Sequence, residues 1–200
     1  MSMDQESIAK PELTFSPEVA DLVRDTYARA RVILEYGSGG STVLASEMPG
    51  KTVFSVESDK QWTRNLQAYL DQAGTASEVH LHHSAIGKTG KWGRPVDHSG
   101  YRRYHRYPLE VWDRPDFIAP DTVLIDGRFR EACFYAVMLR STRKTVVLFD
   151  DYGDRPSYHA VERFAEPVEM RGRMAKFVLR KRALPREALT QIVGAFTNAF

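Results

Sequence analysis

Two hundred residues suffice for one ordinary domain, and a chain of that length buries roughly 70% of its unfolded surface without a disulfide or metal to hold it. Its apolar share of 42% and charged share of 27% are those of a globular protein, and a net charge of +2 is too small to imply nucleic acid or a membrane surface. Cys133 is the only cysteine, which excludes an intrachain disulfide and suits a reducing compartment. No apolar run approaches the roughly 20 residues of a membrane span. Residues 1–15 read as a polar tail without the apolar core of a secretory signal, and the expected location is cytoplasmic.

Ser16-Pro17-Glu18 is a helix opening, with a capping hydroxyl and a proline in the first turn. Val19, Leu22, Val23, Tyr27 and Ala30 then recur at helical spacing. Arg31 to Leu34 is a short apolar strand running into glycines, Ser41 to Met48 a helix, and Thr52 to Val56 a second strand. Ser58 to Gln61 has the pattern of a capping box, ahead of Trp62, Leu66, Tyr69 and Leu70 on one helical face. Glu78 to His82 forms a third strand, Thr122 to Ile125 a fourth and Thr145 to Phe149 a fifth, with a helix over Phe129 to Arg140. A short helix near Pro156 to Phe164 precedes a hairpin of two strands turning at Arg171-Gly172-Arg173. Pro185 to Phe200 reads as an amphipathic helix through Leu189, Ile192, Val193 and Phe196, with a face that packs on the sheet or on a second copy in a homodimer.

Strands alternating with helices predict an α/β domain over 16–184, a doubly wound and mostly parallel sheet with helices on both faces, closed by an antiparallel strand. In such sheets ligands sit at the carboxyl ends of the strands. The first strand ends in Glu35-Tyr36-Gly37-Ser38-Gly39-Gly40 and enters a helix directly. Glu57 ends the second strand, where a carboxylate can accept both hydroxyls of a ribose. A phosphate-binding loop needs a lysine where Thr42-Val43 stands. A nicotinamide cofactor needs a third glycine at Thr42, and Glu35 would oppose its pyrophosphate. S-adenosylmethionine has no phosphate and carries positive charge, so an acid at Glu35 suits it.

The segments ILEYGSGGST, VFSVESDKQW, VLIDGRFR and VVLFDDY resemble, in order, the strand-end motifs of class I S-adenosylmethionine-dependent methyltransferases. That resemblance implies their Rossmann-like sheet of seven strands. It also implies that Glu35, Gly37, Ser38 and Gly39 line the methionine part, that Glu57 holds the ribose, and that Ser84 and Ala85 lie near the adenine. Asp126 at the end of the fourth strand completes the expected cofactor set.

Asp126, Asp150 and Asp151 close the fourth and fifth strands and can converge. Three carboxylates could suit a divalent metal, as in catechol-type relatives, but those carry Asp-Asn at the fifth strand, and no metal is assigned: the plainer expectation is that Asp150 caps a turn and Asp126 touches the cofactor or Arg128. Without metal, crowding raises one carboxylate's pKa and makes it a candidate general base. Residues 87–120 are longer than a connection needs, and interleave Trp92, Tyr101, Tyr104, Tyr107 and Trp112 with lysines and arginines. They predict an ordered flap over the strand ends, suited to an acidic, planar or sugar-like small molecule more than to single-stranded nucleic acid. The leading expectation is methyl transfer to an oxygen or nitrogen of such a molecule. A non-catalytic cofactor- or partner-binding module and an NAD-dependent oxidoreductase are the alternatives.

Overall fold

A computed structural model describes residues 9–183 and 185–199. Helix α1 (Pro17–Arg29) leads into β1 (Val32–Tyr36), followed by α2 (Gly40–Glu47), β2 (Thr52–Glu57), α3 (Lys60–Ala73) and β3 (Glu78–His83). After the flap, which contains the short helix α4 (Arg106–Leu109), come β4 (Thr122–Ile125), α5 (Arg130–Arg140) and β5 (Thr145–Phe149). A 3₁₀ run over Pro156–Arg163, the hairpin β6 (Glu169–Arg171) and β7 (Met174–Leu179), and α6 (Leu189–Ala195) complete the chain. The seven strands lie in the order β3-β2-β1-β4-β5-β7-β6, parallel as far as β5 and antiparallel at the hairpin. This is the sheet that the alternation of elements predicts.

The central strands are buried on both faces, so their sequences are continuously apolar instead of alternating. Strand geometry sends Val32, Leu34 and Tyr36 of β1 to one layer, with Phe134 of α5 and Tyr107 and Trp112 of the flap. Ile33 goes to the other, with Val19, Val23 and Tyr27 of α1. Tyr36 shows how firmly the flap is tied in: its hydroxyl donates to the Pro108 carbonyl at 2.6 Å and accepts from Trp112 Nε1 at 2.8 Å.

Several local expectations shift. Ser16 occupies the N-cap of α1 but makes no side-chain cap; its carbonyl takes the Ala20 N–H at 2.8 Å. Asp59, not Ser58, caps α3 by accepting from the Trp62 N–H at 2.9 Å, because the Ser58 hydroxyl is engaged by the Gly93 carbonyl. The helix near Pro156 is a tighter 3₁₀ run. The terminal helix is only Leu189–Ala195 after a 3₁₀ turn, with Ile192 buried but Leu189 and Val193 exposed. Phe200, its expected end, and Met1 to Ile8 of the tail lie outside the described residues. The rest of that tail runs over α2, with the Glu12–Leu13 backbone against Gly40 and an ion pair from Lys10 to Glu47.

Candidate active site

The glycine loop sits where β1 meets α2, and two strand ends touch there through their backbones. Gly37 has φ +101°, a conformation that side-chain-bearing residues rarely adopt. A Cβ on it would fall 2.8 Å from the Gly127 Cα, and one on Gly127 would fall 2.0 Å from the Tyr107 hydroxyl. The β1 and β4 loops therefore pack as closely as the chain allows, with a flap tyrosine closing the gap.

Glu35, expected beside the methionine part, is engaged by hydroxyls of the fold. It is fully buried on the α1 side of the sheet. Its oxygens accept from the hydroxyls of Tyr27 at 2.7 Å, Thr42 at 2.5 Å and Ser55 at 3.0 Å. The reason is parity: Tyr36 must enter the flap-side core, so its neighbour enters the other layer. Thr42 in turn accepts from the Gly39 N–H at 3.0 Å, so Glu35 supports the loop from beneath. Burial pushes its carboxyl upward, against hydrogen bonds from Thr42 and Tyr27 that lower it.

Glu57, by contrast, stands at the strand ends. Its carboxylate accepts from the backbone N–H groups of Ser58 at 2.6 Å, Asp59 at 2.9 Å and Ser38 at 3.3 Å. The last of these joins the predicted ribose acid to the predicted glycine loop, and the other two fix the carboxylate on its own turn. Ser38 also bonds through its hydroxyl to Ser55 at 2.7 Å, and its carbonyl accepts from Trp62 Nε1 at 2.8 Å. Trp62 of α3, whose ring lies 3.8 Å from where a Gly39 side chain would begin, borders the loop, a role the sequence pattern, which gives it only a helical face, does not show. Ser84 follows β3, is fully buried, and has a hydroxyl without a hydrogen-bond partner; Ala85 beside it is exposed. An orphaned hydroxyl, a backbone-anchored carboxylate and glycines with exposed edges form a donor set that fits an uncharged nucleoside with an amino-acid arm. The flap reaches this place too: a Cβ on Gly93 would fall 2.8 Å from Glu57 Oε1.

The three aspartates of β4 and β5 do converge, but on cations already in the fold. Arg130 is almost fully buried and donates to the carbonyls of Gly127 at 3.1 Å, Asp150 at 2.6 Å and Asp126 at 2.8 Å. Its guanidinium lies 3.1 Å from carboxylate oxygens of both Asp126 and Asp151. Asp150 is fully buried and takes a two-point contact from Arg173 at 2.9 and 2.8 Å. Arg155 pairs with Asp151 at 2.8 Å. The oxygens face guanidinium groups, and among the described residues no three His, Cys, Asp or Glu side chains are set to hold an ion. Arg130 and Arg173, which do the neutralising, are the residues that motif reading passed over. An arginine four residues beyond Asp126 at a helix start was the available signal. The Asp126 carboxyl is pushed up to about 8, by burial first and by Asp150 and Asp151, against the attraction of Arg130.

The flap divides its aromatics. Tyr104, Tyr107 and Trp112 are buried, and the first two pack on Phe129 at 5.1 and 5.6 Å. Trp92 and Tyr101 are exposed. The β3 histidines face flap carboxylates, His80 near Asp116 and His82 near Glu110, each at 3.6 Å.

The strand order, the antiparallel last hairpin, and a glycine loop bonded to an acid at the end of β2 together define the class I methyltransferase architecture. A methyltransferase-like protein from Silicibacter pomeroyi is 45% identical and superposes with a TM-score of 0.91, covering 94% of this chain and 98% of that one. The chain belongs to the class I S-adenosylmethionine-dependent methyltransferase family. The O-methyltransferase TomG from Streptomyces achromogenes, solved with S-adenosylmethionine, is 21% identical over 85% of this chain and 82% of that one, with a TM-score of 0.54. An O-methyltransferase from Bacillus cereus, solved with S-adenosylhomocysteine, is 15% identical over 82% and 80%, with a TM-score of 0.51. At those identities the likeness is one of fold. No protein-family profile and no curated protein matches the chain. Among the described residues no helix is long and apolar enough to cross a membrane.

Proposed function

We propose that this protein binds S-adenosylmethionine across Gly37–Gly39 and Glu57 and transfers its methyl group to an oxygen or nitrogen of a small molecule. The observation that carries this reading is the hydrogen bond from the Ser38 N–H to Glu57, which unites loop and acid in one ligand-facing surface. When bound, the cofactor supplies a methyl group made electrophilic by its sulfonium. Glu57 is set to accept the ribose hydroxyls, and Ser84 to bond the base. Glu35 acts on the loop without touching the ligand.

Asp126 is the group we assign to proton removal. Its side chain is 30% exposed at the end of β4. With its carboxyl at about 8, it is an effective base near neutral pH and above. It takes the proton of the attacking hydroxyl or amine as the new bond to carbon forms. The remaining acceleration comes from holding nucleophile and methyl group in line. Asp150 and Asp151 hold arginines and have no separate chemical part.

Calorimetric titration with S-adenosylhomocysteine tests the cofactor. Wild type is expected to bind it, and Glu57→Ala to bind at least tenfold more weakly. Heat with NAD and none with the sulfur cofactor would replace this reading by the oxidoreductase one. Binding without turnover of any acceptor would favour the non-catalytic module.

A further inference from the structure

Behind Asp126 lies a cavity of about 260 Å³ that the cofactor residues do not line. Its walls come from four separated parts of the chain: Arg94 of the flap, Arg128 and Phe129 of the β4–α5 turn, Arg155 with Tyr158 after β5, and the C-terminal segment. Arg130 and Glu131 complete its polar wall, while Ala195 and Ala199 close it with apolar surface.

Its four guanidiniums are not equivalent. Arg130 is consumed by carbonyls and aspartates, and Arg155 is held by Asp151 and by the Tyr158 hydroxyl at 3.0 Å. Arg128 is different: its Nε is buried without any hydrogen-bond partner. Burial pulls its pKa down, and the neighbouring positive charge of Arg130 adds to that. A buried unsatisfied donor on a cation is costly in a folded protein, and among the described residues no carboxylate or carbonyl of the fold is spent on this guanidinium, which lines the cavity. Arg94, exposed on the flap, brings a second guanidinium to the same cavity.

We propose that this cavity is the acceptor site and that it takes a small organic carboxylate with a ring or short apolar body. Arg128 and Arg94 hold the carboxylate, and Phe129, Tyr158, Ala195 and Ala199 enclose the body. Two uncommitted guanidiniums match one carboxylate, whose planar pair of oxygens suits the guanidinium fork. Glu131 in the wall and Asp126 nearby oppose a more highly charged ligand such as a phosphate dianion. The word acceptor rests on the methyltransferase reading above; the anion site itself does not.

The test uses three probes on the full chain: benzoate, its neutral counterpart benzamide, and inorganic phosphate, each titrated by calorimetry and by thermal shift. Benzoate is expected to bind wild type at least tenfold better than benzamide or phosphate. Arg128→Gln should weaken benzoate at least tenfold while leaving S-adenosylhomocysteine affinity unchanged. Arg94→Gln, on an exposed flap position, should weaken benzoate severalfold and keeps the test valid if the Arg128 variant does not fold. Equal binding of benzoate and benzamide, no benzoate binding up to millimolar concentration, or benzoate affinity indifferent to both substitutions would overturn the proposal. Preference for phosphate would replace the carboxylate by a phosphate ester. Failure of S-adenosylhomocysteine to bind while benzoate does would sink the methyltransferase reading and leave the anion site standing.

Discussion

Among the described residues two carboxylates are completely buried, Glu35 under the first strand end and Asp150 at the fifth, and they are kept there by opposite means. Glu35 is surrounded by hydroxyls and has no cation beside it. Asp150 sits against Arg173 and Arg130. The first half of the sheet thus holds its acids, Glu35 and Glu57, with hydroxyl and backbone N–H donors, and the second half holds its acids with guanidinium groups. A nucleoside without phosphates suits the first arrangement, and selection of an acceptor by charge suits the second.

The sharpest way to break this contrast is to delete each acid. Asp150→Ala leaves Arg130 and Arg173 facing a void and should cost about 3 kcal/mol in urea unfolding. That is the low end for a broken buried pair, because Arg173 is 41% exposed. Glu35→Ala should cost about 2 kcal/mol by stranding three hydroxyls, and Glu35→Gln much less because an amide still accepts. If the two glutamate variants proved equally unstable, charge rather than hydrogen bonding would hold that acid. Gly127→Ala forces apart loops already in contact, for about 1–3 kcal/mol and a loss of S-adenosylhomocysteine binding.

Titration supplies a gentler probe. The folded pKa values of Asp126 and Glu35 both lie above those of the unfolded chain. The folded protein therefore keeps protons that the unfolded chain releases above about pH 4, and stability falls as pH rises. For Asp126 that fall is complete at about pH 8. Asp126→Asn should flatten part of this decline in urea midpoints. It should also abolish a rise of the methyl-transfer rate through pH 8, which wild type is expected to show. The smallest effect belongs to α6: Val193→Asp should change stability by no more than about 0.5 kcal/mol. Sedimentation of that variant tests whether the exposed Leu189 and Val193 pair two copies.

The sheet was legible because its strands are continuously apolar and its turns are marked by Gly, Pro and Asp. So was the union of the glycine loop with Glu57, since both end neighbouring parallel strands. That Glu35 faces the α1 layer was not legible, because a motif gives position along the chain but not which face a side chain takes; the demand of Tyr36 for the flap-side core decides that. That Arg130 and Arg173 neutralise the aspartate cluster was not legible, because Arg173 comes from β7, and only the antiparallel pairing of β7 with β5 brings it near. The orphaned donor on Arg128 depends on packing by the flap and by residues near the chain's end, which no local pattern encodes.

Gly93 and Arg94 are consecutive in the flap, one against Glu57 and the other in the arginine cavity. A backbone movement of Gly93 at Glu57 would carry the Arg94 backbone with it. Occupancy of either site is then felt at the other as a change in affinity, and by thermodynamic necessity the factor is the same in both directions. An enzyme built this way would bind its two substrates cooperatively, through one peptide unit.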